Sequence, residues 1–337
     1  MKSFPSISVL IPTLNAERYL EECLKSIRSQ DYPQENIEII FADGGSTDNT
    51  LKIAKKYKVK VYNNPLKTGE AGKAVALKHA KNELCALIDS DNFLTGKNWL
   101  RRMIEPFVNE EILGSEPWIF TYRKTDGYIT RYCALIGAND PYCYFVGNYD
   151  KFSYLSNKWT GLKMTEEDKG GYIKVKITGE ILPTIGANGT IWRTKKLRDA
   201  VGESSYLFDT DIPYLLSEKG FFYFSKVKVG IVHIYCHQLK DFYRKQKRRA
   251  RDFFFLEKKN ERQKTYQKQT GKQLLFILSV IFVFPLIFQS IKGYIRKHDR
   301  AWLFHPFSCL ITLWVYGKES VLAIFKTGQM DRKKWTQ

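Results

Sequence analysis

The chain has 337 residues, of which 44% are hydrophobic and 26% are charged, and its net charge is +19. This composition is typical of a globular protein and excludes a chain that is disordered throughout. The length suffices for one large domain or two ordinary ones. The positive charge predicts an anionic partner, which can be nucleic acid, a phospholipid surface or a phosphorylated substrate. The six cysteines form no C-x-x-C pair, which argues against a zinc ribbon and favours a reducing compartment.

The first hundred residues alternate between apolar runs and helical periodicity. Strands are predicted at 7–11, 37–42, 59–62 and 84–88, with helices at 16–28, 50–57 and 73–81. Asn15 is the expected N-cap of the first helix. Short connections in a βαβαβαβ order predict a parallel sheet covered on both faces.

Acidic residues follow three of these strands. Glu17, Asp43 and the triplet Asp89-Ser90-Asp91 each lie just past a strand end. In an open α/β sheet, ligands bind beyond the carboxyl ends of the strands. Two carboxylates at that point can hold Mg²⁺ or Mn²⁺, which in turn hold a diphosphate. The alternative is that a lone D-x-D triplet is a turn with capping aspartates, and Gly44-Gly45 is also ordinary turn chemistry.

Four motifs in this order resemble a family-2 glycosyltransferase with the GT-A fold. The matching segments are Pro12–Glu17, Asp43–Asp48, Gly72–Ala74 and Asp89–Asp91. The resemblance covers roughly residues 6–250. It implies an α/β sandwich of GT-A type with a mixed, mainly parallel sheet, to which the sequence adds C-terminal apolar helices.

The resemblance implies a nucleotide site built by the residues that follow the first four strands: Pro12, Thr13, Asn15, Glu17, Asp43, Gly44, Lys73, Asp89 and Ser90. Asp43 would accept a hydrogen bond from the base, usually uracil, and Lys73 would lie near the donor. Asp91 would bind the divalent cation, Mg²⁺ or Mn²⁺, with Asp89 near the ribose and the metal shell. The metal would offset the charge of a nucleoside diphosphate leaving group as a Lewis acid.

An inverting transfer needs one carboxylate to take the proton of the acceptor hydroxyl. The family usually has Glu-Asp before the helix that ends here at Gly220, the Asp being the general base. Spacing to Gly220 places Asp209 at that Asp, and Phe208 departs from the pattern at the Glu. Asp209 is therefore the first choice for the base, and Asp211 is a substitute. Considered without the family, Asp209 is a helix N-cap.

Further segments resemble the acceptor side of the family. Residues 182–193 are similar to its small-residue acceptor segment, and 246–250 to its Q-x-x-R-W motif, with Ala250 where Trp would stand. The candidate contacts to acceptor or diphosphate are Gly186, Asn188, Arg193, Gln246 and Arg249. His233 is a candidate further metal ligand, although a lone His is more often structural.

A basic segment precedes an apolar one near the C-terminus. Residues 240–273 contain thirteen Lys/Arg and four Asp/Glu, and Leu274–Ile291 then carries no charge over eighteen residues. As a helix this stretch would be about 27 Å long, against a hydrocarbon core of about 30 Å, with a kink at Pro285. Basic residues before it fit the positive-inside rule. A second apolar stretch, Ala301–Tyr316, follows a turn whose basic residues fit poorly in an extracytoplasmic loop. The two apolar segments are therefore expected either to lie in the membrane interface or to form a shallow hairpin.

These patterns divide the sequence into a GT-A domain at 1–250 (nucleotide-binding half 1–100, acceptor half 101–250), a basic helical linker at 251–273, membrane-associated helices at 274–326 and a basic tail at 327–337.

The predicted function is transfer of a sugar from a UDP- or GDP-linked donor to a lipid-linked acceptor or a nascent cell-envelope polysaccharide. The predicted enzyme is inverting and hexosyltransferase-like, acts at the cytoplasmic face of the membrane and has no nucleic-acid partner. One alternative is a nucleotidyltransferase acting on a sugar phosphate, but its Gly-rich basic signature is missing near the N-terminus. Another is a basic nucleic-acid- or membrane-binding protein without catalysis. The charge clusters beside an apolar segment, which favours lipid over nucleic acid.

Overall fold

The structure, a computed structural model, describes residues 4–178, 182–186, 188–258 and 270–325. Within these ranges ten strands form one sheet in the order β3-β2-β1-β4-β9-β6-β10-β8-β7, with β5 paired to β10. The strands are β1 (Ile7–Thr13), β2 (Ile37–Asp43), β3 (Lys60–Asn63), β4 (Leu84–Leu87), β5 (Asn92–Leu94), β6 (Ile112–Thr121), β7 (Thr165–Asp168), β8 (Tyr172–Lys176), β9 (Thr190–Arg193) and β10 (Tyr223–His233).

The first four strands are parallel, as the sequence predicts. β1 lies between β2 and β4, and its register with β2 runs from Ile7 opposite Ile37 to Thr13 opposite Asp43. Strands covered on both faces need apolar side chains on both sides, which explains their continuous apolar runs. β9 then pairs antiparallel with both β4 and β6, so the sheet is mixed.

Helices alternate with the strands, and all the described elements after β10 are helical. In the described ranges they are α1 (Glu17–Arg28), α2 (Thr50–Lys56), α3 (Gly69–His79), α4 (Trp99–Ile104), α5 (Tyr128–Ile136), α6 (Pro141–Val146), α7 (Thr194–Val201), α8 (Ile212–Ser217), α9 (Leu239–Lys258), α10 (Thr270–Phe282), α11 (Phe284–Arg296) and α12 (His305–Phe325). α1 buries Leu20, Leu24 and Ile27, the residues that gave its periodicity. α3 begins at Gly69, one turn earlier than predicted.

The predicted cap of α1 is wrong. Its N-cap position is Ala16, which has no capping side chain. The amide of Glu17 instead donates to Asp48 Oδ2 at 3.0 Å, in the loop that follows β2. Asn15 has a φ of 50°, and its side chain accepts a hydrogen bond from the Thr47 amide at 2.9 Å. The loops after β1 and β2 therefore stabilise each other across the sheet edge.

The chain forms two compact units. The first contains the described residues of Met1–Trp118 and Lys163–Val232, and the second contains those of Ile119–Leu162 and His233–Asp331. The predicted boundary after residue 250 falls inside α9, which is one continuous helix. Part of the predicted linker (259–269) and the whole predicted tail at 327–337 lie outside the described residues.

The apolar C-terminal segment is broken where Pro285 predicts a kink. α10 ends at Phe282, Val283 has a φ of 60°, and α11 carries Pro285 in its first turn. The two helices meet at 93°. By length and apolarity, the described residues contain one continuous candidate for a membrane-crossing helix, Arg300–Phe325, and the bent pair would count as a second.

Gly72 sets how closely α3 approaches β1. A Cβ at this position would lie 2.7 Å from Pro12 Cβ and 3.1 Å from Asn64 Nδ2. We expect Gly72→Ala to destabilise the protein by about 1–3 kcal/mol because the helix must move away from the sheet. Thermal unfolding measures this loss. Gly69→Ala is the matched control, since nothing lies within 4 Å of its Cβ position. An unchanged unfolding midpoint for Gly72→Ala would contradict the close approach.

Candidate active site

The triplet Asp89-Ser90-Asp91 follows β4 and is fixed by the next residue. Asn92 is fully buried. Its side-chain oxygen accepts a hydrogen bond from the Asp89 backbone amide at 3.1 Å, and its backbone amide donates to the Asp89 carbonyl at 3.0 Å. Its Nδ2 group lies 3.3 Å from Asp91 Oδ1 and 3.2 Å from Asn188 Oδ1. A side-chain amide can donate and accept at once, which lets one residue orient both aspartates. The sequence reasoning missed Asn92, although its place directly after the triplet was a usable signal.

Lys73 joins the triplet to the predicted base. Its ammonium lies 2.6 Å from Asp209 Oδ2 and 3.3 Å from Asp89 Oδ1, and the side chain is buried. Burial alone would lower the pKa of Lys73, but the two carboxylates outweigh it and hold the pKa above its ordinary value. The ammonium therefore stays charged. Three residues that the sequence placed in separate motifs form one contiguous acidic–basic cluster.

Asp209 is tuned mainly by its burial. Burial raises the pKa of Asp209 to about 7, against the opposing effect of Lys73. Its Oδ2 atom contacts Lys73, whereas Oδ1 is buried and has no hydrogen-bond partner among the residues that the structure describes. A carboxylate that has one oxygen paired and the other without a hydrogen bond can take a proton from a hydroxyl placed beside the second oxygen.

The alternative role of Asp209 as a helix cap is wrong. Asp209 is the first residue of the 3₁₀ helix Asp209–Asp211, and Phe208 holds its N-cap position. α8 begins at Ile212, and its N-cap residue Asp211 makes no capping bond through its side chain. Asp211 is buried, and the Thr210 hydroxyl lies 3.4 Å from its Oδ1 atom.

A fully buried ion pair supports the segment beside Asp209. Glu116 Oε2 lies 2.5 Å from Lys226 Nζ, and Glu116 Oε1 accepts from the Gly186 amide at 3.1 Å. Gly186 has a φ of +133°, and a Cβ there would lie 2.1 Å from the Asp209 carbonyl oxygen. Only glycine allows this approach. Glu116 thus holds the backbone against which Asp209 rests, and sequence reasoning gave no hint of it.

Two other candidates of the acceptor segment lie apart from each other. Asn188 lies beside Asn92 and so reaches the triplet. Arg193 is opposite Leu84, the first residue of β4, whereas the triplet follows the last. The Arg193 guanidinium donates to the Ile112 carbonyl at 3.0 Å and to the carbonyls of Phe107 and Asn109 at 2.9 and 3.2 Å. The structure therefore does not bring Arg193 to the acidic end of β4.

Asp43 organises the loop after β2 through all of its acceptor capacity. Its Oδ1 atom accepts from the hydroxyls of Thr13 at 2.8 Å and Ser46 at 2.6 Å. Its Oδ2 atom accepts from the amides of Gly45 at 2.9 Å and Ser46 at 2.8 Å. An ionised carboxylate offers about four acceptor positions. A nucleotide base that bonded to Asp43 would have to replace one of these partners.

The remaining nucleotide candidates lie at the ends of β1 and β2, where the sequence placed them. The Gly44 amide donates to the Thr13 carbonyl at 2.8 Å. Glu17 Oε2 accepts from the backbone amide of Asn49 at 2.9 Å and from its side chain at 2.7 Å. Pro12 lies under Gly72 of α3.

The three candidates in the second unit cluster around Asn139 and Asp140. Gln246 Nε2 donates to the Asn139 carbonyl at 2.9 Å, and Arg249 Nη1 lies 3.3 Å from Asp140 Oδ2. The His233 ring nitrogen Nδ1 lies 3.4 Å from Asn139 Nδ2. Across the described ranges, no group of three or more His, Cys, Asp and Glu side chains is arranged to hold a metal ion.

Comparisons with known proteins agree with this fold and these motifs. Residues 8–173 match the model of the family described as glycosyl transferase family 2. A solved structure, the mannosyltransferase PcManGT from Pyrobaculum calidifontis in complex with GDP-Man and Mn²⁺, superposes with a TM-score of 0.55 at 14% identity. That superposition covers 96% of this chain and 90% of the other. The sheet order and this likeness define a GT-A fold.

Residues 8–173, just under half of the chain, thus resemble glycosyl transferase family 2. One relative is the poly(ribitol-phosphate) beta-N-acetylglucosaminyltransferase TarS of Staphylococcus aureus, 40% identical over 93 residues, or 26% of this chain and 16% of TarS. Another is a Methanococcus voltae dolichyl N-acetyl-alpha-D-glucosaminyl phosphate 3-beta-D-2,3-diacetamido-2,3-dideoxy-beta-D-glucuronosyltransferase. It is 45% identical over 65 residues, or 17% of this chain and 20% of its own length. The matches thus span only about a fifth or less of these relatives.

We expect Glu116→Gln to lower the stability of the protein by about 3–5 kcal/mol, because it leaves the Lys226 ammonium buried without a counter-charge. Thermal unfolding measures the effect. The double variant Glu116→Gln/Lys226→Met is the control, since it removes both charges and should recover much of the loss. If the single variant were as stable as the wild type, the pair would not hold this segment.

Proposed function

We propose that this chain transfers a sugar, with inversion, from a nucleotide-diphosphate sugar to an acceptor hydroxyl, with Asp209 as the general base. The observation that carries the proposal is the Asp209 carboxylate. Its side chain is only 15% exposed, one oxygen is paired with Lys73, and the other is buried with no hydrogen-bond partner among the described residues. Asp211 remains the substitute for the base.

The donor is proposed to be UDP- or GDP-linked. Its nucleotide would bind at the ends of β1, β2 and β4, where the family motifs lie. Support comes from the Pyrobaculum mannosyltransferase, which was solved with GDP-Man, and from the N-acetylglucosaminyltransferase name of TarS. In the loop after β2, the backbone amides of Gly45 and Ser46 hold the Asp43 carboxylate at the end of the strand.

A divalent cation, Mg²⁺ or Mn²⁺, is proposed to bind through Asp91 and Asp89. The donor set fits, because both ions prefer carboxylate oxygen, and Mg²⁺ is commonly held by one or two carboxylates, several waters and substrate phosphates. Two aspartates fixed by Asn92 meet that need without a third protein ligand, so His233 is not required. When bound, the cation supplies Lewis-acid stabilisation of the leaving diphosphate.

The protein residues carry out the remaining steps. Asp209 Oδ1 accepts the proton of the acceptor hydroxyl while that oxygen attacks the anomeric carbon from the face opposite the leaving group. Lys73 holds Asp209 Oδ2 and so orients the open oxygen. A pKa of Asp209 near 7 keeps the base form available at neutral pH and makes it a stronger base than an ordinary carboxylate.

The acceptor is proposed to be lipid-linked or a nascent polysaccharide, reached at the cytoplasmic face of a membrane. The two named relatives act on a poly(ribitol-phosphate) and on a dolichyl-linked sugar phosphate. Both acceptors carry phosphate, which matches the excess of Lys and Arg in this chain. The exposed apolar side chains of α10, α11 and α12 support attachment to lipid.

The pH dependence of the reaction tests the base. We expect kcat/KM to fall with decreasing pH through an apparent pKa of about 7, because Asp209 must be deprotonated to accept a proton. Asp209→Asn should lose about 10²–10⁴-fold in kcat and should lose this acid limb. The assay is nucleoside diphosphate release with a lipid-linked sugar as acceptor, because the proposed step needs an acceptor hydroxyl.

Two variants serve as controls for this profile. Lys73→Met removes the nearby positive charge, so the acid limb should move to higher pH, whereas Lys73→Arg should keep it close to the wild type. Asp211→Asn should retain the limb. If Asp211→Asn abolished the limb and Asp209→Asn kept it, the base would be Asp211.

Cation binding tests the triplet separately from activity. We expect Asp91→Asn to weaken Mn²⁺ binding by about tenfold or more in the presence of UDP, because one charged ligand is lost. The electron paramagnetic resonance signal of free Mn²⁺ reports the bound fraction. Asp31→Asn is the matched control, since Asp31 is exposed and pairs with Arg101. Equal Mn²⁺ affinity in Asp91→Asn and the wild type would remove Asp91 from the metal site.

A further inference from the structure

α12 has its polar and apolar faces reversed relative to a water-soluble helix. Most of the large outward side chains are apolar and more than half exposed: Leu303 just before it, then Phe307, Leu310, Trp314, Val321, Ile324 and Phe325. Lys318 and Ser320 are the exposed polar side chains of this helix. The inward face contains the buried polar residues His305, Ser308, Thr312 and Glu319. Spacings of three, four and seven residues place the apolar set on one stripe. An apolar stripe of this kind is suited to contact with the hydrocarbon of a membrane and not with water.

α12 is also packed against a highly charged helix. α9 contains eight Lys and Arg residues among twenty. Arg251 of α9 lies 2.5 Å from Glu319 Oε2, and the rings of Phe242 and Phe304 lie 5.3 Å apart just before α12 begins. Charged side chains are excluded from the centre of a bilayer unless they are paired or reach water. A helix held along α9 by these contacts must stay at the depth of α9, near the membrane surface.

The bent pair α10–α11 is too short in each part to cross a bilayer. Each helix has 13 residues, which corresponds to about 20 Å against a hydrocarbon core of about 30 Å. Up to Ile291 most of their exposed side chains are large and apolar, with Phe284 80% and Phe288 68% exposed. A 93° bend turns them away from one another, so the two helices do not form one straight span.

The turn between α11 and α12 is basic and is tied to the rest of the second unit. Lys292, Arg296, Lys297 and Arg300 are all exposed. Arg296 Nη1 nevertheless donates to the carbonyls of residues 154 and 155 at 3.0 and 2.6 Å. Residues 292–300 therefore lie on the same side as this loop. Their charges would oppose placement across the membrane under the positive-inside rule and would attract anionic headgroups instead.

We propose that α10, α11 and the outer face of α12 insert into a single leaflet of an anionic bilayer and that none of them crosses it. The basic residues of the 292–300 turn would then contact the headgroups of the same leaflet. This inference deepens the membrane part of the proposed function and rests on it, but it does not depend on the sugar-transfer reaction.

Sidedness of labelling tests the proposal. His298→Cys places a thiol in the basic turn, and Lys52→Cys places one on the exposed surface of α2 as the matched control. Both variants of the full chain are treated with a membrane-impermeant maleimide in vesicles of the expressing cell, prepared in either orientation. All six native cysteines lie in the described ranges and none is exposed, so the unmodified chain sets the background.

We expect both thiols to react in the same vesicle orientation and to be protected in the other until detergent is added. Labelling of His298→Cys from the side opposite to Lys52→Cys would overturn the proposal, because the helices would then span the membrane.

Vesicle binding provides a second measurement. Leu310→Glu/Trp314→Glu should weaken binding to phosphatidylglycerol–phosphatidylcholine vesicles by at least about tenfold, since two apolar anchors are lost. Val108→Glu is the matched control, because Val108 is 72% exposed in the first unit. Donor hydrolysis without vesicles should be unchanged in all three chains, which separates this test from that of the transferase. Equal vesicle binding by all chains, or loss of self-association in place of vesicle binding, would overturn the proposal.

Discussion

The ammonium of Lys73, held between Asp209 and Asp89, is the interaction on which the site depends. It joins α3, the end of β4 and a 3₁₀ helix that lies 136 residues further along the chain. Burying an ammonium without counter-charges costs several kcal/mol. The buried position of Lys73 is therefore stable because both carboxylates lie beside it. Gly72 allows this arrangement because it lets α3 lie directly on Pro12 of β1. Gly186 allows it from the other side, where its backbone meets that of Asp209.

The buried carboxylates of the first unit differ in how completely they are satisfied. Asp43 accepts three hydrogen bonds from its own loop and one from Thr13 of β1, and Glu116 bonds through both oxygens to Lys226 and Gly186. Both residues therefore hold a segment of backbone in place through these hydrogen bonds. Asp209 has one oxygen held and the other without a hydrogen-bond partner in the described ranges. A buried polar atom left in this state is costly unless a ligand uses it, and this cost is the support for the proposed role of Asp209 in proton transfer.

The sequence predicted the parallel half of the sheet because burial on both faces produces continuous apolar runs. The boundaries of β1, β2 and β4 differ from prediction by two residues or fewer. Prediction from the sequence failed where the hydrogen-bond partners of a residue come from distant segments of the chain. The first amides of α1 bond to the loop after β2 and not to Asn15, and Asp209 bonds to Lys73 and not to a helix end. Glu116 was missed for the same reason, since its partners Lys226 and Gly186 are brought to it only by the fold.

The C-terminal helices show a different limit of sequence reasoning. Mean hydropathy over a window averages around the helix axis, so a helix with one apolar stripe scores like one that is apolar on all sides. In α12 the inward face carries Glu319 bonded to Arg251, which a spanning helix surrounded by lipid could not accommodate without its partner. In the apolar stretch before it, Pro285 divides a length that would otherwise suffice to cross. The same residues that suggested a span therefore fit the proposed placement along one leaflet, with their polar contacts turned toward the protein.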